Sequence, residues 1–297
     1  MATHSRLATP AATREVLEAF GLATKHRLGQ NFLVSDAVIG RILGLAELAP
    51  DDVVLEVGPG IGTLTCALLP RVAALVAIEA DRELPPVLAA TCQGLGRMAL
   101  VEGDATRVPP ERVREALAGV VPEGVAPEPT AFVSNLPYQV AATLVLGVLA
   151  SVPSVRRAVV MVQAEVADRM AARPGTKAYG AYTAKLALVG EVTGRFEVSP
   201  NNFMPAPHVD SAVVRIERRP RRDPETGRVL GEDELARCRA AVDAAFAQRR
   251  KTIRNSMRAS GYDAAALDAA LAACGIDPRT RAEALEPADF VRLAARL

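Results

Sequence analysis

Histidine is scarce in this chain, and what there is lies scattered. His4, His26 and His208 are far apart, which argues against a histidine-based triad or zinc site. The four cysteines, Cys66, Cys92, Cys238 and Cys274, form no C-x-x-C pair and have no histidine nearby. They read as reduced core thiols of a cytoplasmic protein rather than metal ligands. No apolar run reaches the ~20 residues of a membrane span, and residues 1–10 lack the hydrophobic stretch of a signal peptide. No internal repeat is present. What remains is an ordinary globular composition, 50% apolar and 23% charged over 297 residues, long enough for a large core and two domains.

The net charge of +1 hides an uneven distribution. Residues 215–258 carry 13 basic and 7 acidic side chains, residues 1–214 carry 18 and 21, and residues 259–297 carry 4 and 6. A basic segment on a near-neutral protein suggests a polyanionic partner; a solvated helix face is the alternative.

Residues 52–57 (DVVLEV) have the composition of a buried parallel strand, and Gly58-Pro59-Gly60-Ile61-Gly62 follows at once, ahead of a helix over residues 63–69. Strand, glycine turn and helix open a doubly wound α/β nucleotide-binding domain. A dinucleotide site uses G-x-G-x-x-G to seat a pyrophosphate. Here the spacing is E-x-G-x-G-x-G, and Glu56 just before the turn disfavours phosphate. It suits a ligand with positive charge at an amino acid end, S-adenosylmethionine. Glu79 ends the second strand, 21 residues beyond Gly58, near the ~20-residue offset at which an acid meets a ribose hydroxyl. Asp104 follows the third strand, residues 98–102, where it can accept from an adenine amino group. Each acid alone could be a helix N-cap. Three of them at successive strand ends lie along the edge where open α/β sheets bind ligands.

A fourth buried run, residues 131–134 (AFVS), delivers Asn135-Leu136-Pro137-Tyr138. Asn135 can accept from an amine through its side-chain oxygen. Pro137 donates nothing, which leaves the Leu136 carbonyl free to accept, and Tyr138 offers a stacking face. An ordinary strand-to-helix turn is the alternative. Further on, residues 158–162, 186–198 and 209–217 read as strands, and Phe203 lies on a proline-punctuated loop as either a plug for the sheet edge or a stacking face. Beyond Arg222 the period is helical, with Leu235, Cys238, Val242 and Phe246 on one face. Helices are expected over residues 263–274 and 287–296. At the other end, residues 1–10 read as a disordered tail and residues 13–20 as a short helix.

Five stretches, in order, carry a resemblance: residues 25–33 (KHRLGQNFL), 56–62 (EVGPGIG), 135–138 (NLPY), 203–213 (FMPAPHVDSAV) and 248–256 (QRRKTIRNS). Together they resemble the ribosomal RNA adenine dimethylases, in particular the KsgA branch acting on small-subunit rRNA, from about residue 20 to the C-terminus. The resemblance implies an α/β, Rossmann-like S-adenosylmethionine-dependent methyltransferase domain, mostly parallel with an antiparallel edge hairpin, plus a small all-helical C-terminal domain. Residues 1–24 would be a tail and short helix, 25–220 the methyltransferase domain and 221–297 the RNA-binding helices. It further implies methyl transfer to N6 of two adjacent adenosines near the 3′ end of that rRNA, within an immature small subunit, by a cytoplasmic monomer without a metal.

By motif, Asn31 and Leu33 would close over the methyl donor, and Gly58 and Gly60 would lie under its amino acid end. Glu79 would meet the ribose and Asp104 the adenine. Asn135 would serve both donor and target amine, beside Leu136 and Pro137. Tyr138 and Phe203 would sandwich the target adenine, and Arg249, Arg250, Lys251 and Arg254 would hold RNA. Two positions depart from the family pattern: Ala164 stands where a lysine is usual, and His208 where lysine or arginine is commoner. Both departures remove an RNA contact rather than a catalytic group. A large-subunit adenine methylase shares the donor site, N-x-P-[YF] and F-x-P-x-P, but the QRRKTIRNS stretch argues against it. The intact NLPY argues against a non-catalytic assembly factor, and the glycine spacing against a dehydrogenase.

Overall fold

The computed structural model describes residues 3–22 and 30–297; residues 25–29 of the basic N-terminal stretch lie outside the described residues. In chain order the elements are α1 (Pro10–Ala19), β1 (Phe32–Leu33), α2 (Asp36–Ala46), β2 (Val53–Val57), α3 (Thr63–Leu68), β3 (Ala74–Glu79), α4 (Pro85–Thr91), β4 (Met98–Glu102), α5 (Pro110–Ala118), β5 (Ala131–Asn135), α6 (Ala141–Ser151), β6 (Arg157–Gln163), α7 (Ala164–Met170), α8 (Ala181–Leu186), β7 (Gly190–Val198), β8 (Phe203–Met204), β9 (Ser211–Arg218), α9 (Glu232–Phe246), α10 (Ile253–Ala259), α11 (Ala264–Ala273) and α12 (Pro287–Ala294).

A seven-stranded sheet runs β4-β3-β2-β5-β6-β9-β7. The first five strands are parallel, and β9 is antiparallel to β6. Every residue of β2 and β3 is buried, which is why these strands read as unbroken apolar runs. From β2 the chain moves outward to β3 and β4, then returns to place β5 on the other side, so the order reverses between β2 and β5. At that reversal a crevice opens. Ladder pairing between β2 and β5 stops at Leu55↔Phe132. Beyond it the Ser134 hydroxyl bridges the strands, donating to the Val57 carbonyl at 2.6 Å and accepting from the Val57 N–H at 2.9 Å. A serine inside an apolar strand thus satisfies backbone groups that the splayed ladder leaves unpaired.

Residues 3–10, expected as part of a disordered tail, are packed on the sheet unit. Leu7 and Ala8 are buried, and the backbone N–H groups of His4 and Ser5 each donate to an Asp36 carboxylate oxygen at 2.9 Å. Thr9 then caps α1 by accepting from the Ala12 N–H, with Pro10 at the first helical position. Residues 186–189, expected to begin a strand, instead end α8 and turn into β7.

The chain divides into two compact units, residues 1–167 with 192–217, and residues 168–191 with 218–297. The helical unit therefore takes residues 168–191, which the sequence pattern grouped with the sheet. Tyr179 is the physical reason. Its ring is buried edge-on against Phe246, its hydroxyl donates to the Leu285 carbonyl at 3.0 Å, and Lys185 pairs with Asp243 at 2.7 Å. Divided this way, the helical unit carries 20 basic and 14 acidic side chains against 15 and 20 in the sheet unit.

Candidate active site

A cavity of about 300 Å³ lies in the sheet unit at the carboxyl ends of β2, β3, β4 and β5, within the usual range for small-molecule sites. It brings together Asn31, Leu33, Gly58, Gly60, Glu79, Asp104, Asn135, Leu136, Pro137 and Tyr138, all of them residues singled out from the sequence.

The glycine turn forms the floor. Gly58 and Gly60 have φ of +68° and +61°, backbone that favours glycine. A Cβ on Gly58 would sit 3.4 Å from the Pro137 ring, and one on Gly60 would sit 3.1 Å from the Phe32 ring. Side chains there would close the space between the turn, β1 and the NLPY segment. Glu79 accepts from the Asp81 N–H at 2.8 Å and the Gly60 N–H at 3.3 Å. Burial still pushes its pKa up against those donors. Asp104 is more open: the Thr106 hydroxyl and N–H both donate to it, holding its pKa below the usual range.

Glu56 is the residue that motif reading undervalued. It lies on the cavity wall, is 1% exposed, and its Oε2 has no hydrogen-bond partner among the described residues. Burial, with the nearby Cys92 and Glu79, pushes its carboxyl up to about 8. Burying a carboxylate is costly, so burial favours its neutral form against the Thr65 hydroxyl, and a cation in the cavity would favour the charged one.

At the opposite lip the NLPY turn is pinned at several points. The Asn135 Nδ2 donates to the Asn31 carbonyl at 3.3 Å, leaving Oδ1 as the acceptor. The Leu136 N–H donates to the Met161 carbonyl at 3.1 Å, and the Leu136 carbonyl has no donor among the described residues. Tyr138 shares a 2.6 Å hydrogen bond with Ser211, and burial raises its pKa. Ser134 and Ser211 escaped sequence reasoning because their partners, Val57 and Tyr138, are 77 and 73 residues away.

Phe203 is placed differently from the sandwich reading. It pairs with Leu33 as β8 against β1, is buried, and packs into the core with Leu33, Val198 and Val213. It does not line the cavity. Antiparallel pairing with β1, whose Phe32 and Leu33 line the cavity, goes with this ring's burial in the core.

The basic run also splits. Arg250 and Lys251 are exposed. Arg249 donates to the Lys177 carbonyl at 2.7 Å, and Arg254 forks onto Asp268 at 2.5 and 2.7 Å. Ser256, fully buried, donates to the Ala244 carbonyl at 2.7 Å and accepts from the Gln248 N–H at 3.0 Å. Much of QRRKTIRNS therefore shapes the junction of α9 and α10. Of the two departures from the family pattern, Ala164 begins α7, its N–H donating to the Asp210 carbonyl at 2.9 Å, and His208 is exposed. No group of three His, Cys, Asp or Glu side chains able to hold a metal ion occurs among the described residues, and no helix there is long and apolar enough to cross a membrane.

The profile of the family described as "Ribosomal RNA adenine dimethylase" matches residues 21–297. The chain belongs to that family. It is 43% identical over 98% of its length to a ribosomal RNA small subunit methyltransferase A of Thermobifida fusca, covering 96% of that protein. It is likewise 43% identical over 98% of its length to the protein of that name from Streptomyces coelicolor, covering 97% of it. Among solved structures, a 23S rRNA methyltransferase, ErmE, superposes with a TM-score of 0.64 at 28% identity, over 90% of this chain and 99% of that one. A dimethyladenosine transferase from Plasmodium falciparum shares the fold, with a TM-score of 0.70 at 24% identity over 88% and 95%. This dimethylase thus has the methyltransferase sheet with its cavity at the strand-order reversal, and helices C-terminal to it.

Proposed function

We propose that this dimethylase transfers methyl groups from S-adenosylmethionine to N6 of two adjacent adenosines near the 3′ end of small-subunit rRNA, in an immature subunit of the cytoplasm. The observation that carries the reading is the pair of oxygens, Asn135 Oδ1 and the Leu136 carbonyl, without a donor among the described residues, at the lip of a cavity whose wall includes the buried Glu56 carboxyl. The residues present fit the donor. Gly58 and Gly60 leave room for its amino acid end, Glu56 meets its ammonium, Glu79 its ribose and Asp104 its adenine, with Asn31 and Leu33 closing the near side.

The bound donor supplies an activated sulfonium methyl. The protein's part is to aim and sharpen a weak nucleophile, since the adenine amino lone pair is delocalised into the ring. Asn135 Oδ1 and the Leu136 carbonyl accept both amino hydrogens and draw the nitrogen out of conjugation. The same oxygens stabilise the positive charge that develops on nitrogen, as fixed dipoles aimed at the transition state. Alignment of this kind is worth about 7–11 kcal/mol in favourable cases. No strong base is needed; the proton leaves to water. The target base must be unpaired or flipped out to enter, and Tyr138 stacks on it, a contact worth about 1–3 kcal/mol.

The helical unit, with its excess of basic side chains, grips rRNA phosphates chiefly through Arg250 and Lys251. Replacing both by alanine is expected to reduce the salt slope of rRNA binding by about 1.5, since each lost phosphate contact removes about 0.7–0.9, and to leave cofactor affinity alone. Arg254→Ala, which breaks the pair with Asp268, is expected to lower the melting temperature with less change in that slope. Filter binding across a salt series, beside thermal melts, checks both; the reverse pattern would refute the division of roles. The function itself is tested by incubating the protein with labelled S-adenosylmethionine and unmethylated small subunits and mapping the modified nucleotides. Label confined to large-subunit rRNA, or absent, would overturn the proposal.

A further inference from the structure

A base-stacking ring works only if its plane is fixed, and Tyr138 sits on the five-residue connection between β5 and α6, where backbone alone does not fix a side chain. The turn is held by the Asn135 side chain on the Asn31 carbonyl, the Leu136 N–H on the Met161 carbonyl and the Val140 N–H on the Pro137 carbonyl, none of which reaches the tyrosine ring. What reaches the ring is Ser211, through the 2.6 Å hydrogen bond between hydroxyls. Ser211 is fully buried and is the first residue of β9, paired with Gln163 of β6. Its neighbour Asp210 accepts from the Ala164 N–H at 2.9 Å. The anchor therefore belongs to the rigid antiparallel side of the sheet, two strands away from the one that carries Tyr138.

Geometry makes this contact directional. The phenol oxygen is conjugated with its ring, so hydrogen bonds at that oxygen lie near the ring plane, whichever hydroxyl donates. The Cβ fixes one end of the ring's long axis and Ser211 fixes the other, and the in-plane preference resists rotation about that axis. Phe203 is buried in the core and does not line the cavity. We propose that Ser211 is a positioning residue for methyl transfer: it locks the Tyr138 ring in the orientation that presents the target adenine to the methyl donor. This rests on the reading of Tyr138 as the stacking surface. It adds a residue of the 203–213 stretch whose partner is the NLPY turn rather than RNA.

The test is a double-mutant cycle on the full-length protein with unmethylated small subunits. Ser211→Ala is expected to lower kcat by about 10- to 100-fold, the scale of a small misplacement of the reacting groups, with S-adenosylmethionine affinity unchanged within about twofold. Tyr138→Phe removes the other half of the bond without touching β9 and is expected to show the same loss. The double variant is expected to be no worse than either single, because only one interaction is being removed. Losses that multiply in the double variant, or wild-type kcat in Ser211→Ala or Tyr138→Phe, would overturn the inference. Tyr138→Ala separates it from the reading beneath: a severe loss there with full activity in Ser211→Ala sinks only the positioning role. Full activity in Tyr138→Ala sinks the stacking role itself.

Discussion

Asn135→Ala is expected to reduce kcat by about 100- to 1,000-fold, the cost of deleting one preorganised polar group aimed at developing charge, while S-adenosylmethionine binding stays measurable. The side chain has two jobs, and the structure separates them. Its Nδ2 is committed to the Asn31 carbonyl at 3.3 Å, which sets the amide's orientation and ties β1 to the NLPY turn. Its Oδ1 is the acceptor that the target amine meets. Alanine removes the acceptor and the tie together, but the glycine turn, Glu56 and Glu79 that make the far end of the cavity are untouched. Single-turnover methylation of unmethylated small subunits, beside calorimetric titration with S-adenosylmethionine, checks the split. Near-normal methylation by the alanine variant would refute the mechanism, and total loss of cofactor binding would show that the amide serves the donor alone. Asn135→Asp is informative too: it keeps an acceptor but loses the Nδ2 donor, so it tests the tie to Asn31.

Glu56→Gln is expected to act in opposite directions on binding and on stability. Truncating one partner of a buried charge pair costs about 2–5 kcal/mol, a loss of about 30-fold or more in affinity for S-adenosylmethionine. In the free protein the same change relieves a buried acid. The sign follows from linkage. The folded-state pKa is raised, from an ordinary 4.5 to about 8, mainly by burial. The stabilising contribution of the protonated form is thus fully present below 4.5 and is lost as pH rises to about 8. Wild-type protein without cofactor should therefore lose stability across that window, and the glutamine variant should lose less, because it has no proton to surrender. Denaturant melts at pH 5 and pH 8, each with and without S-adenosylmethionine, check both halves. Parallel pH slopes for the two proteins, or undiminished affinity in the variant, would remove Glu56 from the donor site. Binding to the wild type should also release a proton near neutral pH, since an ammonium against Glu56 pulls its pKa down; calorimetry in buffers of different ionisation enthalpy reads this directly.

The methyltransferase half of the site was legible because its signals are local. A strand, a turn whose glycines need positive φ, and a helix must be contiguous to make a cradle, so Gly58, Gly60 and Glu79 could be read from spacing. The NLPY turn was legible for the same reason: a proline that removes a donor and an amide that accepts act within four residues. Composition likewise carried the basic character of the C-terminal region, because charge adds up however the chain folds.

Other features depend on which distant residues meet, and no spacing encodes that. Residues 168–191 have helical and turn patterns of their own, yet Tyr179 finds its place against Phe246 and the Leu285 carbonyl, so this stretch packs with the helical unit. The family resemblance cast Phe203 as a stacking face, and antiparallel pairing with Leu33 turned it into the core. Arg254 resembled Arg250 in sequence until Asp268 engaged its guanidinium. From the sequence alone came the reaction class and most of the residues that line the cavity, because chemistry selects residue types at short spacings. Only the tertiary structure decided which charges pair, which ring faces the cavity and that Glu56 is a buried acid, because burial and long-range pairing are set by the whole packed sheet rather than by any segment of it.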